Sequence, residues 1–398
     1  MAGFVEKRCR CGKTVESRDQ VCPACGARDF RWRARYRGPD RKSYSKTWSK
    51  KSDAERWLIG QESSKARGEW LDPNAGRMRL GDFANQWLET VAHLRPSTRH
   101  RYESLVRVHI VPVLGGLPLN GIRPLDIRAF VSGMIEQGFS PTTARHAYVM
   151  LSQLLRAAQR DGRIGRNPAS DVSPPAPGRH EQRYLSAEQV WALADSIGPR
   201  YRAAVLIGAY AALRWGELAG LRVSRLRLLE RRIDITDTLV EVGRELVPGP
   251  PKTGPRSVSI PAPLAEEIGA HLAAFPAGPS GLVFTGAKGQ PLRHCNFYRR
   301  EWKPALEAAG LDRGLRIHDL RHSAVALAIA AGAHPKEIQE LCGHASITTT
   351  LNVYGHLFES LQDRLAERLG ETFLASHASW MRPEPGPIVE QIAARGAQ

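Results

Sequence analysis

Ala211-Ala-Leu-Arg-Trp-Gly-Glu-Leu218 is the stretch on which the fold turns. It closes an apolar run, Ala203 to Leu213, that reads as part of a helix over 201–221 with Gly216 interrupting it. An arginine ending such a helix is out of place, because burying a guanidinium is costly unless a carboxylate or another anion meets it. The same run excludes a membrane span: Arg202 and Arg214 bracket it far short of the ~20 apolar residues a bilayer requires.

Downstream, other polar residues sit where packing would not put them. Lys252, in Pro250-Pro-Lys-Thr-Gly-Pro255, lies on a turn before a strand, free to reach into a cleft. His318-Asp-Leu-Arg321-His322 sets His318 and Arg321 at i and i+3 on one helical face. Leu341-Cys-Gly-His344 puts a histidine just after a helix-ending glycine, and Thr348-Thr-Thr-Leu-Asn-Val-Tyr354-Gly-His356 follows. A lone buried tyrosine is usually core and a lone histidine usually a satisfied polar residue, so the information lies in the order and the types together. Around them the pattern predicts helices at 186–197, 264–275 and 296–309, strands at 232–238, 245–247 and 257–261, and helices from His318 onward.

Upstream, 80–168 reads as helical, with helices at 80–94, 97–109, 123–137 and 140–161 separated by Pro96, the Pro112–Gly116 loop and Gly138. Arg99 and Arg145 stand among polar neighbours on this stretch as candidate DNA-backbone contacts. Breaker-rich segments at 71–79 and 169–183 read as linkers, the second long enough to reach around a duplex.

The first 70 residues carry 18 Lys and Arg against 9 Asp and Glu, about half of the +17 net charge of the 398-residue chain. Such an excess, with a sequence pI near 10.0, calls for a polyanionic partner. Cys9-Arg-Cys11-Gly12 and Cys22-Pro-Ala-Cys25-Gly26 have spacings that allow four thiolates on one tetrahedral Zn²⁺, a closed structural site with no open position for catalysis. Phe30-Arg-Trp-Arg-Ala-Arg-Tyr-Arg37 alternates strictly, so a strand would line one face with Arg31, Arg33, Arg35 and Arg37 and turn Phe30, Trp32, Ala34 and Tyr36 inward. A second strand at 42–49 and a helix over 53–66, capped by Ser52, complete a small sheet-plus-helix module suited to tracking phosphates. The N-terminus has no apolar signal core, so a cytoplasmic protein with reduced cysteines is expected.

The 29–70 segment resembles the arm-type DNA-binding module of phage integrases. Leu-Arg214-x-Gly-Glu217-Leu, Lys252, His318-x-Leu-Arg321-His, Gly-His344 and Tyr354-x-His resemble the tyrosine recombinase family, the integrases of phages and integrative elements. Ala211-Ala212 departs from the Thr-Gly common there, and Cys342 precedes Gly-His344. The resemblance implies a multidomain α+β protein: a zinc segment (1–28), an arm module of a three-stranded sheet and a helix (29–70), a helical core-binding domain (80–168), a mainly α catalytic domain (184–374) and a tail (375–398).

For function it implies strand cleavage by Tyr354 through a 3′-phosphotyrosine, with Arg214 and Arg321 clasping the phosphate, Lys252 protonating the 5′-oxygen and His318 accepting the tyrosine proton. His344 hydrogen-bonds the phosphate and Glu217 orients its neighbours. Partners implied are core-type and arm-type duplex DNA, a homotetramer on synapsed DNA, and accessory DNA-bending or directionality factors, with no membrane and no catalytic cofactor. A type IB topoisomerase and a zinc-containing DNA-binding regulator without catalysis are the competing readings. His322 and His356, beside signature residues, read as structural.

The chemistry agrees. A phosphodiester is inert enough that about 15–20 kcal/mol must come off the barrier, and one acid, base or donor supplies only ~3–5, so several groups must converge. Guanidinium forks match a phosphate, and a missing acidic triad argues against two-metal hydrolysis. The chain carries no Gly-x4-Gly-Lys-[Ser/Thr] phosphate loop.

Overall fold

The computed structural model describes residues 3–176, 182–355 and 361–380, in two compact units, 1–179 and 180–398. The first begins with a four-stranded antiparallel sheet of β1 (Phe4–Cys9), β2 (Thr14–Val15), β3 (Phe30–Arg37) and β4 (Ser43–Trp48), in the order β2-β1-β3-β4. The sheet therefore has one strand more than expected, and the segment expected to bind zinc is part of it. β1 pairs with β3 from Phe4↔Arg35 to Cys9↔Phe30, so the 1–28 and 29–70 segments share one ladder. Helix α1 (Lys51–Ala66) starts two residues before Asp53, with Lys50 rather than Ser52 at its N-cap. It lays Trp57 against Tyr36 and Trp48, ring centroids 5.3 and 4.9 Å away, and buries Ala54 completely. That aromatic layer leaves the arginine face of β3 on the other side of the sheet.

Four helical segments follow around a second core: α2 (Leu80–Thr90), α3 (Pro96–Ser104) running on to α4 (Val111–Leu114), α5 (Pro124–Glu136) and α6 (Pro141–Arg160). The expected break at Pro112 is absent. A π turn, Leu105–Ile110, widens the helix just before it, and the Val111 N–H reaches back five residues to the Val106 carbonyl. That register accommodates a residue with no N–H to give and a ring that would clash one turn back. The start of the expected 169–183 linker packs down: the Tyr148 hydroxyl lies 2.7 Å from both the Ala169 and Val172 carbonyls, and Val172 is buried.

The second unit wraps helices around α8 (Pro199–Tyr210), which is buried on nearly every side. It contains α7 (Ala187–Ser196) and α9 (Trp215–Ala219), then β5 (Leu226–Arg227), β6 (Arg232–Ile235), β7 (Thr238–Val242), β8 (Glu245–Gly249) and β9 (Arg256–Ser259). Strands β5-β6-β9 form one sheet and β7-β8 a separate hairpin, so the stretch 232–238 is two strands. Helices α10 (Ala262–Ala274), α11 (His294–Phe297), α12 (Lys303–Ala308), α13 (Asp319–Ala330), α14 (Pro335–Cys342), α15 (Ile347–Tyr354) and α16 (Leu361–Trp380) complete it. A second π turn, Tyr298–Trp302, again precedes a proline, Pro304. The expectation for His356 and most of the 375–398 tail falls outside the described residues. No described helix is long and apolar enough to cross a membrane.

Candidate active site and metal centre

The expected continuous helix over 201–221 is broken. α8 stops at Tyr210, and Ala212 adopts φ 54°, a left-handed conformation that L side chains pay for in Cβ–carbonyl repulsion. The chain reverses there and restarts α9 with Arg214 as its N-cap. Arg214 is thus delivered at a helix start, not a helix end. Gly216 lets α9 lie on β7, because a Cβ there would sit 2.9 Å from the Leu239 carbonyl oxygen.

Glu217 is the buried anion the arginine needed, with 1% of its side chain exposed. Its carboxylate accepts from Arg214 Nη1 at 2.9 Å and from the Arg214 backbone N–H at 3.0 Å. It also accepts a bidentate pair from Arg256, Nη1 at 3.0 Å and Nη2 at 2.8 Å. Burial alone would raise its pKa, but the two guanidiniums prevail and hold it at about 2. Arg256 was not anticipated. It sits at the start of β9, four residues past Lys252, and presses against Gly343, where a Cβ would come within 2.7 Å of its Cδ. Gly343 is the left-handed C-cap of α14, φ 60°, so it turns the chain into His344 and makes room for this arginine at once.

Arg321, on α13, is 3% exposed and donates from Nη1 to the Ala212 carbonyl and from Nη2 to the Cys342 carbonyl. Those bonds tie the break after α8 to the end of α14. His344 lies half-buried with Nδ1 2.9 Å from Thr350 Oγ1. Burial, followed by the charges of Arg321, Arg214 and Arg256, brings its pKa to about 4, so it is neutral at pH 7. Two guanidiniums bind one carboxylate and a third lies within its field, a net +2 focused beside a neutral imidazole.

Tyr354 ends α15, only 2% exposed, among Ala212, Val325, Ile329, Ile338 and Cys342. Burial raises its pKa above that of an ordinary phenol. Its hydroxyl lies 2.7 Å from Nδ1 of His322. His318, expected to face this hydroxyl, instead meets the ring of His322 edge-on, centroids 5.0 Å apart. Its pKa falls to about 4, first through desolvation and then through His322, Arg321 and Arg316, so it is neutral at pH 7. The tyrosine's described partner is thus His322, which the sequence reading set aside. Lys252 is exposed in the turn between β8 and β9, and the described contacts do not bring it to the cluster.

In the first unit the four cysteine sulfurs lie within 4.8 Å of one another, Cys9 to Cys25 at 3.5 Å and Cys11 to Cys22 at 3.7 Å. Bonds of about 2.3 Å to a tetrahedral Zn²⁺ would set neighbouring sulfurs about 3.8 Å apart, so the set fits that ion, whereas a disulfide needs about 2.05 Å. Backbone N–H groups, Ala24 first, draw Cys22 down to about 7. For Cys9 the Cys11 N–H acts in the same direction, but burial and the neighbouring thiols prevail and push it to about 12. A cation is what would ionise all four together.

Arg8, Arg10, Arg31 and Arg33 line an open groove of about 390 Å³ beside the cysteines. Arg8 and Arg10, on the zinc-side strand and turn, were missed because their face depends on pairing with β3. Arg33 is not wholly free: Glu6 lies 4.0 Å from it across the ladder and Ser45 accepts from it at 2.9 Å. Arg35 Nε is buried without a partner, and Arg37 donates to the Arg41 carbonyl. Arg99 pairs with Glu103 at 3.0 Å, and Arg145 donates to the Pro175 carbonyl at 3.1 Å, anchoring the linker.

Residues 183–360 match the family model described as "Phage integrase family", 79–135 the "Phage integrase, N-terminal SAM-like domain" and 30–67 the "Phage integrase, N-terminal domain". The integrase of Mycobacterium phage FRAT1 is 30% identical over 335 residues, covering 80% of this chain and 98% of that one. The putative prophage phiRv2 integrase of Mycobacterium tuberculosis H37Rv is 30% identical over 355 residues, covering 86% and 92%. In fold, the chain is similar to the Tn1549 transposon integrase in complex with transposon right end DNA, TM-score 0.65 at 22% identity over 74% of this chain and all of that one. It is also similar to a lambda integrase tetramer bound to a Holliday junction, TM-score 0.52 at 19% identity over 79% and 94%.

Proposed function

The chain belongs to the phage integrase family of tyrosine recombinases, enzymes that cleave and rejoin DNA strands through a tyrosine without ATP, and on that premise we propose how its own residues divide the work. Tyr354 is the nucleophile. Its oxygen attacks the scissile phosphorus, the bond to the 5′-oxygen breaks, and a 3′-phosphotyrosine and a free 5′-hydroxyl result. Bond energy is conserved in the adduct, so the reverse attack by a 5′-hydroxyl from another duplex completes exchange. This accounts for integration and excision of a phage or related element better than the relaxing-enzyme or regulator readings.

The observation that carries this reading is the convergence of Arg214, Arg321 and Arg256 on one neutral imidazole, two of them sharing the Glu217 carboxylate and the third acting on Tyr354. Arg214, with 25% of its side chain exposed, keeps donors for the non-bridging oxygens, and Arg321 adds a buried positive field. Neutral His344 accepts from Thr350 at Nδ1 and donates from Nε2 to the phosphate. Lys252, on its exposed turn, protonates the leaving 5′-oxygen once DNA draws it in, and His318 lines the entrance. A net +2 before DNA binds suits a phosphodiester whose charge grows toward −2 in the transition state.

Cys9, Cys11, Cys22 and Cys25 hold a structural Zn²⁺, which supplies a covalent brace for the β1–β3 end of the sheet. The neighbouring arginine groove takes arm-type DNA, and the helical core takes core-type DNA. By likeness to the lambda integrase assembly, four copies act on two synapsed duplexes, in the cytoplasm of a bacterial host.

The test is a nicked suicide duplex carrying a core site selected from a random library by binding to the full chain. Wild type should accumulate a covalent protein–DNA band, and Tyr354→Phe none. A band that persists in Tyr354→Phe removes the assignment.

A further inference from the structure

We infer that His322, not His318, takes the hydroxyl proton from Tyr354 as the tyrosine attacks. The inference rests on the reading of Tyr354 as nucleophile and adds the identity of its proton acceptor. A general base must lie within hydrogen-bond distance of the proton it removes, and Nδ1 of His322 stands 2.7 Å from the tyrosine oxygen. His322 lies one helical turn past His318 on the same face of α13, one turn closer to Tyr354 at the end of α15. His318 touches the His322 ring edge-on and has no described contact with the hydroxyl.

The surroundings make the transfer productive. Around His322 stand His318 and Asp319 on its own helix, the neighbouring Arg321, His344 from the segment after α14, and Tyr354. Tyr354 is buried and keeps its proton in the resting chain, so Oη donates and Nδ1 accepts, which places the ring hydrogen on Nε2. As Oη bonds to phosphorus its proton passes to Nδ1. The phosphorus–5′-oxygen bond breaks and that oxygen takes a proton from Lys252. Religation runs both transfers backward, with the imidazolium of His322 returning its proton to the departing tyrosine. Asp319, buried, held ionised by Arg316 and within electrostatic reach of His322, favours that imidazolium.

The test compares full-length His322→Asn and His318→Asn on two suicide duplexes: the ordinary one, and one with sulfur replacing the bridging 5′-oxygen, whose thiolate leaves without an acid. Asn keeps an acceptor where Nδ1 stood but takes no proton at neutral pH. His322→Asn should therefore slow single-turnover adduct formation by about 10²–10³ on both duplexes and lose the rise of rate with pH that an imidazole base produces. Lys252→Ala should be slow only on the ordinary duplex, and His318→Asn should keep the pH rise. His322→Ala, with the ring removed, should regain rate on addition of imidazole. His322→Asn within threefold of wild type, or a pH rise lost in His318→Asn and kept in His322→Asn, overturns the inference. An adduct in Tyr354→Phe instead overturns the nucleophile reading beneath it.

Discussion

Glu217 shows how a single carboxylate sets the electrostatics of the site. With Arg256 bound bidentate from one side, it need not claim all of Arg214, which keeps donors for DNA. Replacing Glu217 with Gln would leave two part-buried guanidiniums without their shared carboxylate, an expected loss of up to about 3 kcal/mol in urea unfolding; a loss below about 1 would mean the pair is incidental. The pH dependence has a definite sign. A carboxylate whose pKa is lowered from 4.5 to about 2 by folding contributes stability that is complete above pH 4.5 and lost as pH falls toward 2. That span corresponds to about 3 kcal/mol, and Glu217→Gln should lack it. Arg214, Arg321, His344 and Tyr354 were legible because their types and order form a pattern. Arg256 and His322 were not: one meets its carboxylate 39 residues away, the other its tyrosine 32 residues away, and neither separation has a local signature. Ala212 is the reverse case, since the departure from Thr-Gly was visible but its cost was not. A left-handed alanine costs about 1–2 kcal/mol, and its buried methyl, worth about 0.8, offsets only part of that.

Among the elements, those with strong periodicity were readable and those set by pairing or by proline register were not. The alternation of 30–37 gave β3 and its arginine face directly, whereas β1 joins that sheet through contacts with residues some 20 to 30 positions away. The stretch of α4 read as a loop after a helix ending at His109 because a proline normally ends a helix, and the π turn that spares it has no composition of its own. The shared ladder also sharpens the metal prediction. If Zn²⁺ braces the end of β1 against β3, the purified chain should carry about one Zn per molecule by metal analysis. Cys22→Ser should lose it together with arm-DNA binding, while core-site cleavage survives. Full metal content in Cys22→Ser, or arm binding unaffected by its loss, would contradict the brace.

Across the whole molecule, the +17 of the chain now has separate uses. Arg8, Arg10 and Arg31 line one groove together with Asp29, while Arg33 is part-neutralised by Glu6 and Arg145 holds a linker, so an arginine's presence alone did not reveal its use. In the second unit, three arginines and one glutamate leave a net +2 near His344, which under the proposed function serves a single phosphate. Under that proposal most of the excess positions DNA and a small remainder acts on the bond that breaks. The most direct measurement is to digest the trapped adduct and locate the nucleotide by mass spectrometry. The account predicts one modified peptide, with DNA joined to the Tyr354 oxygen through a 3′-phosphate. Attachment at any other residue, or through a 5′-phosphate, would contradict it.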